Sequence, residues 1–279
     1  RNRLECTVTV GQVMVASTVE GLATALAKQD EQSVQRAGFE AILPLRKGTG
    51  PTLWCFHPAS GFAWQFSVLT RWLDSRWSVT GIQSPRPNGP MQQAQNLAQV
   101  VDSHLQTLLE QQPHGPYYLM GYSLGGTLAH AIAARLVEAG EEVAFLGLLD
   151  TWPPESQNWE EKGANELDPA VLAEIERERE AFIAAQQGQG SDALFSAIEG
   201  NYGDAVRLLI SARSVPFAGH ATLFVAERTL IPGQDPRRAW GDWTDTLTVY
   251  PVDCAHVDII SPAAFAHIGP VLQEVLALD

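Results

Sequence analysis

From Phe39 onward, short apolar runs alternate with longer stretches of helical periodicity, and few architectures accept that order. Thr52–Phe56, Val79–Ile82, Tyr117–Met120, Val143–Leu149, Ala221–Ala226 and Leu247–Val252 read as strands. Ile42–Leu45 contains Pro44, which cannot donate to a strand ladder, so this run is expected at a sheet edge. Between them, Trp64–Leu73, Ala94–Gln111, Leu124–Glu138 and Pro262–Leu276 carry helical spacing. The expected class is α/β, a mostly parallel sheet flanked by helices. With 279 residues, 45% of them hydrophobic and 18% charged, the chain can bury a large core without disulfides or metal staples.

Residues 152–215 break the alternation. They contain helical stretches at Asp168–Gln187 and Ala193–Ser211, separated by Gly188–Gly190, and no strand pattern. An insertion between two strands of a parallel sheet projects from the strands' C-terminal edge, so these residues are expected to form a helical lid. The charged run Glu174–Glu180 reads as a solvated helix face. At the other end, Val19, Leu22, Ala23 and Leu26 have helical spacing behind Thr18 as a cap, so residues 1–30 form a small separate element, and residues 31–38 read as a linker. Arg1 rather than Met at the first position suggests a segment of a longer chain.

Charge and cysteines narrow the function classes. A formal net charge of −14 repels phosphate backbones and anionic membrane surfaces, which sets nucleic-acid and membrane binding aside. No run approaches the roughly 18 apolar residues of a membrane span, and no signal peptide is visible. Cys6, Cys55 and Cys254 are odd in number and widely spaced, which fits reduced thiols in the cytoplasm and no metal site.

The chemistry concentrates at Gly121-Tyr122-Ser123-Leu124-Gly125-Gly126. A G-x-S-x-G segment between a strand and a helix is a nucleophile elbow: glycines allow the backbone to close tightly, and the helix N-terminus presents free N–H groups to the Ser oxygen. A hydroxyl needs a base. His256, in Cys254-Ala255-His256-Val257-Asp258, follows a strand and precedes the last helix, where a loop can carry an imidazole over the sheet edge. His220 precedes a strand, His267 lies inside the final helix, and His130 lies two turns into the helix behind the elbow. For the acid, Asp150 directly follows an apolar strand that neighbours the elbow strand, where an unpaired carboxylate would be costly to bury. Glu227 and Asp235, after the next strand, are the alternatives. For an oxyanion hole, the residue after the nucleophile supplies the N–H of Leu124, and the small-residue loop His57-Pro58-Ala59-Ser60-Gly61 nominates Ala59. His57 itself reads as a structural loop histidine.

Taken with Leu149-Asp150-Thr151-Trp152-Pro153-Pro154 and the run Ile82–Pro90, these motifs resemble the terminal thioesterase domains of nonribosomal peptide synthetases over residues 39–279. The resemblance implies an α/β-hydrolase fold and places the acid after the strand that follows the elbow helix, hence Asp150. Residues 7–28 resemble the C-terminal helices of a peptidyl carrier protein domain, without the serine that bears phosphopantetheine. The implied function is product release. An acyl chain moves from phosphopantetheine on the partner carrier onto Ser123 and leaves by oligomerisation and macrolactonisation, as for a cyclic trimer of 2,3-dihydroxybenzoyl-serine in siderophore biosynthesis. The chain itself would need no cofactor. Two alternatives stand beside it: a hydrolytic thioesterase or carboxylesterase releasing a linear acid, and a non-catalytic carrier-docking module.

Overall fold

A computed structural model describes residues 39–84, 89–157, 192–230 and 233–277, together with Ala23. The carrier-like segment at 1–30, apart from Ala23, which is exposed and helical, lies outside the described residues, as do the linker at 31–38 and the lid residues 158–191.

Seven strands form one sheet: β1 (Ile42–Arg46), β2 (Thr52–Phe56), β3 (Ser78–Ile82), β4 (Tyr117–Tyr122), β5 (Val143–Leu149), β6 (Phe217–Ala226) and β7 (Thr244–Val252). Their spatial order is β1-β3-β2-β4-β5-β6-β7. β1 pairs antiparallel with β3, and every other pairing is parallel. Pro44 therefore sits on an edge strand, next to a register shift between Pro44 and Arg46.

Alternate residues of one strand feed opposite layers. Leu53 and Cys55 of β2 join a core with Phe66 and Leu69 of the 3₁₀ turn Trp64–Arg71 and with Phe265, Ile268 and Leu272 of the last helix. Trp54 and Phe56 point the other way, into a core with Leu97, Val100, Val101 and Leu108 and with Leu128, Ile132 and Leu136. Burying a large apolar side chain contributes about 1.5–3 kcal/mol, and a strand apolar on both faces gains that only between two helical layers.

Among the described residues the α-helices are α1 (Pro90–Gln93), α2 (Leu97–Gln111), α3 (Leu124–Glu138), α4 (Asp192–Ile210), α5 (Pro236–Trp240) and α6 (Pro262–Val275). Two sequence expectations are corrected. Where the spacing predicts an α-helix over Trp64–Leu73, Trp64–Arg71 forms a 3₁₀ turn. The stretch Ala94–Gln111 is interrupted at its start: Ala94 is extended, and the Asn96 side chain accepts from Gln99 N at 3.1 Å to cap α2. An Asn near the end of a helical pattern competes for the backbone and wins as a cap.

Of the insertion at 152–215, expected from the sequence to be a lid, the short turn Pro154–Gln157 and α4 are described. α4 is clamped to the body by Arg207, whose guanidinium donates to Met91 O at 3.1 Å and Ala94 O at 3.0 Å. Ala205 and Leu208 on α4 enter the same core as α2 and α3.

Candidate active site

The nucleophile candidate stands at the end of β4. Ser123 has φ 55° and ψ −123°, outside the regions ordinary residues favour, and is the residue from which α3 starts. Such a conformation costs on the order of 1–3 kcal/mol and must be held by its surroundings. Two close approaches hold it. A Cβ on Gly121 would lie 2.0 Å from Gly125 O, and a Cβ on Gly125 would lie 2.1 Å from Phe56 O. The first contact folds the helix tightly back onto its strand, and the second presses its first turn against the end of β2. Ser123 N donates to Leu149 O at 3.1 Å, and Ser123 O accepts from Thr151 Oγ1 at 3.2 Å.

Strand register brings the acid candidate alongside. Tyr122 lies opposite Leu149, so the residues that follow, Ser123 and Asp150, leave neighbouring strands at one rim. Asp150 has φ 41° and is 4% exposed. Both carboxylate oxygens are used: Oδ1 accepts from Ala226 N at 3.0 Å and Oδ2 accepts from His256 Nδ1 at 2.7 Å. This satisfies the charge whose burial would otherwise be costly. A carboxylate on Nδ1 holds the neutral imidazole as the Nδ1–H tautomer and leaves a lone pair on Nε2.

His256 opens a short 3₁₀ turn after β7, His256–Asp258. Tyr122 pins it: the Tyr122 hydroxyl donates to His256 O at 3.2 Å, and the two rings lie 5.1 Å apart at 38°. Tyr122, Thr151 and the Ala226 N–H were not singled out from sequence. Tyr122 and Thr151 act through side-chain hydroxyls whose partners are distant in the chain or set by strand register, and Ala226 acts through its backbone N–H, so none has a local sequence signature. Beside His256, burial pushes the Cys254 thiol up to about 11, so it stays protonated and is no rival nucleophile.

The other candidates lie apart. Glu227 is exposed, and the carboxylate of Asp235 caps α5 by accepting from Arg237 N at 2.9 Å. His220 on β6 meets Thr246 Oγ1 at 2.9 Å, and His267 is exposed on α6. His130 is buried in α3, donates from Nε2 to Trp243 O at 2.8 Å, and is pushed down to about 4 by burial.

The oxyanion candidates flank the elbow. Leu124 is the first residue of α3, and Ala59 is half-buried in the loop that follows β2. Because Gly125 packs on Phe56 O and His57 O, these two backbone segments meet. His57 is fully buried, as expected for a structural histidine. Among the described residues, no group of three or more His, Cys, Asp or Glu side chains could hold a metal ion.

A family model for the thioesterase domain matches residues 51–272. The chain belongs to the thioesterase domain family. Its members are enzymes of the serine-hydrolase type. The chain is 70% identical over 96% of its length to enterobactin synthase component F of Escherichia coli, of which it spans 21%. It is 44% identical over 99% of its length to the vanchrobactin synthetase VabF of Vibrio anguillarum, of which it spans 10%. The chain thus spans about a fifth of the first relative and a tenth of the second. Among solved structures, the thioesterase domain that cyclises surfactin aligns over 87% of this chain and 98% of its own, with a TM-score of 0.63 at 16% identity. A four-domain nonribosomal peptide synthetase aligns over 98% of this chain and 23% of its own, with a TM-score of 0.72 at 20% identity. These likenesses show the α/β-hydrolase fold.

Proposed function

We propose that this chain is the terminal thioesterase of a nonribosomal peptide synthetase and that Ser123, Asp150 and His256 act as its catalytic triad. The observation that carries the reading is the 2.7 Å hydrogen bond from His256 Nδ1 to Asp150 Oδ2 at the strand end next to the strained Ser123. His256 Nε2 takes the proton of Ser123 as Oγ attacks a thioester carbonyl. The oxygen of the tetrahedral intermediate is held by the N–H groups of Leu124 and Ala59. Collapse expels the phosphopantetheine thiol, which takes its proton from the imidazolium, and an acyl ester remains on Ser123. Asp150 stabilises the imidazolium and keeps its own charge throughout.

Release repeats the cycle with a second nucleophile. The enzyme-bound chain is 2,3-dihydroxybenzoyl-serine, by likeness to enterobactin synthase component F. A seryl hydroxyl attacks the ester, first to lengthen the chain and finally to close a trilactone. The phosphopantetheine belongs to a carrier domain that docks as partner, and residues 1–30 are the end of such a domain. The lid, residues 152–215, keeps water from competing with the hydroxyl. No described helix is long and apolar enough to cross a membrane. Action in the cytoplasm is part of the proposal.

The test is mass spectrometry of products released from a carrier loaded with dihydroxybenzoyl-serine. Cyclic trimer supports the reading. Linear acid alone would assign a hydrolytic thioesterase. No release, with no fluorophosphonate labelling of Ser123, would assign a docking module.

A further inference from the structure

The Ala59 N–H belongs to the peptide that joins Pro58 to Ala59, and the carbonyl of that peptide is held twice. Pro58 O accepts from Gly61 N at 3.0 Å and lies 2.7 Å from His57 Nδ1. A carbonyl cannot donate, so the proton is on Nδ1. A neutral imidazole has one N–H, so His57 Nε2 presents a bare lone pair. That lone pair lies 2.9 Å from Nε2 of His104, on α2, which must therefore donate. Both rings are neutral because both are buried, at 0% and 1% exposure. Burial pushes His57 down to about 4, and burial followed by the His57 neighbour pushes His104 well below the ordinary histidine value. The direction of the chain is thus fixed: His104 donates to His57, and His57 donates to Pro58 O.

A trans peptide is planar, and its C=O and N–H point in opposite directions. Two donors on Pro58 O fix the plane and so aim the Ala59 N–H. They also draw charge onto the oxygen, and hydrogen bonds in series polarise one another, which strengthens the amide as a donor. We propose that His57 and His104 are positioning residues of the reaction, a buried imidazole pair that aims and polarises the Ala59 N–H toward the oxyanion. This rests on the reading above in which Ala59 is an oxyanion donor. It assigns a task to a histidine that the sequence alone marks as structural.

Paired substitutions in the full chain test it, with an N-acetylcysteamine thioester as substrate and a boronic acid as mimic of the tetrahedral intermediate. In His57→Asn the amide nitrogen stands where Nδ1 donates. In His104→Gln it stands where Nε2 donates. His57→Phe and His104→Phe remove the donors and keep the ring volume. Deleting an oxyanion donor costs ~10²–10³ in rate, and a misaimed one retains part of its effect, so His57→Phe should lower kcat by ~10–10². KM should stay near the parent value, and boronate affinity should fall by the same factor as kcat. His104→Phe should lose less, and both amide variants should recover most of the rate. Active sites are counted by fluorophosphonate titration, so a misfolded fraction does not enter kcat. If His57→Phe fails to fold, the His104 pair carries the test alone.

A kcat per titrated site within about twofold of parent in the phenylalanine variants would overturn the proposal. So would an unchanged boronate affinity, or loss without rescue by the amides. If Ser123→Ala abolishes the acyl-enzyme while these variants act normally, this inference alone fails. If Ser123→Ala keeps the acyl-enzyme, the triad reading fails first.

Discussion

The two sides of the proposed nucleophile, Ser123, use the same residue type in opposite ways. On the acid–base side, His256 meets a carboxylate at 2.7 Å and its side chain is 21% exposed. On the oxyanion side, His57 is fully buried and meets another imidazole. A carboxylate partner favours the imidazolium that proton transfer must create. An apolar pocket and an imidazole partner forbid it, which suits a group that only holds a carbonyl in place. The residue type does not decide which task a histidine performs; its partner and its burial do.

The largest effect that would break this comparison is at the shared atom. Ser123→Ala should abolish the acyl-enzyme, and wild-type adducts in intact-mass spectra would remove the chemistry from both sides. Asp150→Asn should then cut the rate by about 10⁴, by analogy with triad acids, while leaving the oxyanion side untouched. A near-normal rate would transfer the acid role to Glu227 or Asp235. Gly125→Ala strikes the seam between the sides. Its methyl would sit 2.1 Å from Phe56 O, so the helix and the β2 loop must part, with an expected loss of about 10²–10³ in kcat at retained far-ultraviolet circular dichroism.

Stability against pH sharpens the contrast. The unfolded chain protonates a histidine near 6.5, whereas native His57 resists until about 4. The unfolded state therefore binds more protons in that window, and stability present above pH 6.5 is lost as pH falls toward 4. His104 and His130 act in the same direction. The melting temperature should drop by several degrees across this window, and His57→Asn combined with His104→Gln should flatten the slope in calorimetry. The smallest effect is expected for Tyr122→Phe, which removes one hydrogen bond to His256 O. About 1 kcal/mol of positioning corresponds to roughly a fivefold fall in kcat, and an unchanged rate would make the tilted ring contact alone sufficient.

Much of this site was legible in the chain because its parts obey local rules. Gly121, Gly125 and Gly126 announce a tight strand-to-helix turn, whose steric demand is a property of a few adjacent residues. Asp150 at the end of an apolar strand announces a partner, because a lone buried charge is too costly. The run Ala94–Gln111 is less legible at its start, where the apolar spacing continues through Ala94 although the backbone there is extended and Asn96 caps α2.

By itself, the amino-acid sequence determined the alternating strand and helix order and the elbow at Ser123, together with the residue types able to serve as acid, base and oxyanion donors. Only the tertiary structure decided that Asp150 meets His256 and Ala226 N, that Tyr122 braces His256, and that His104 faces His57. Those pairings span 47 to 134 positions of chain. Local propensity carries no information over such separations; strand register and the packing of helices on the sheet do.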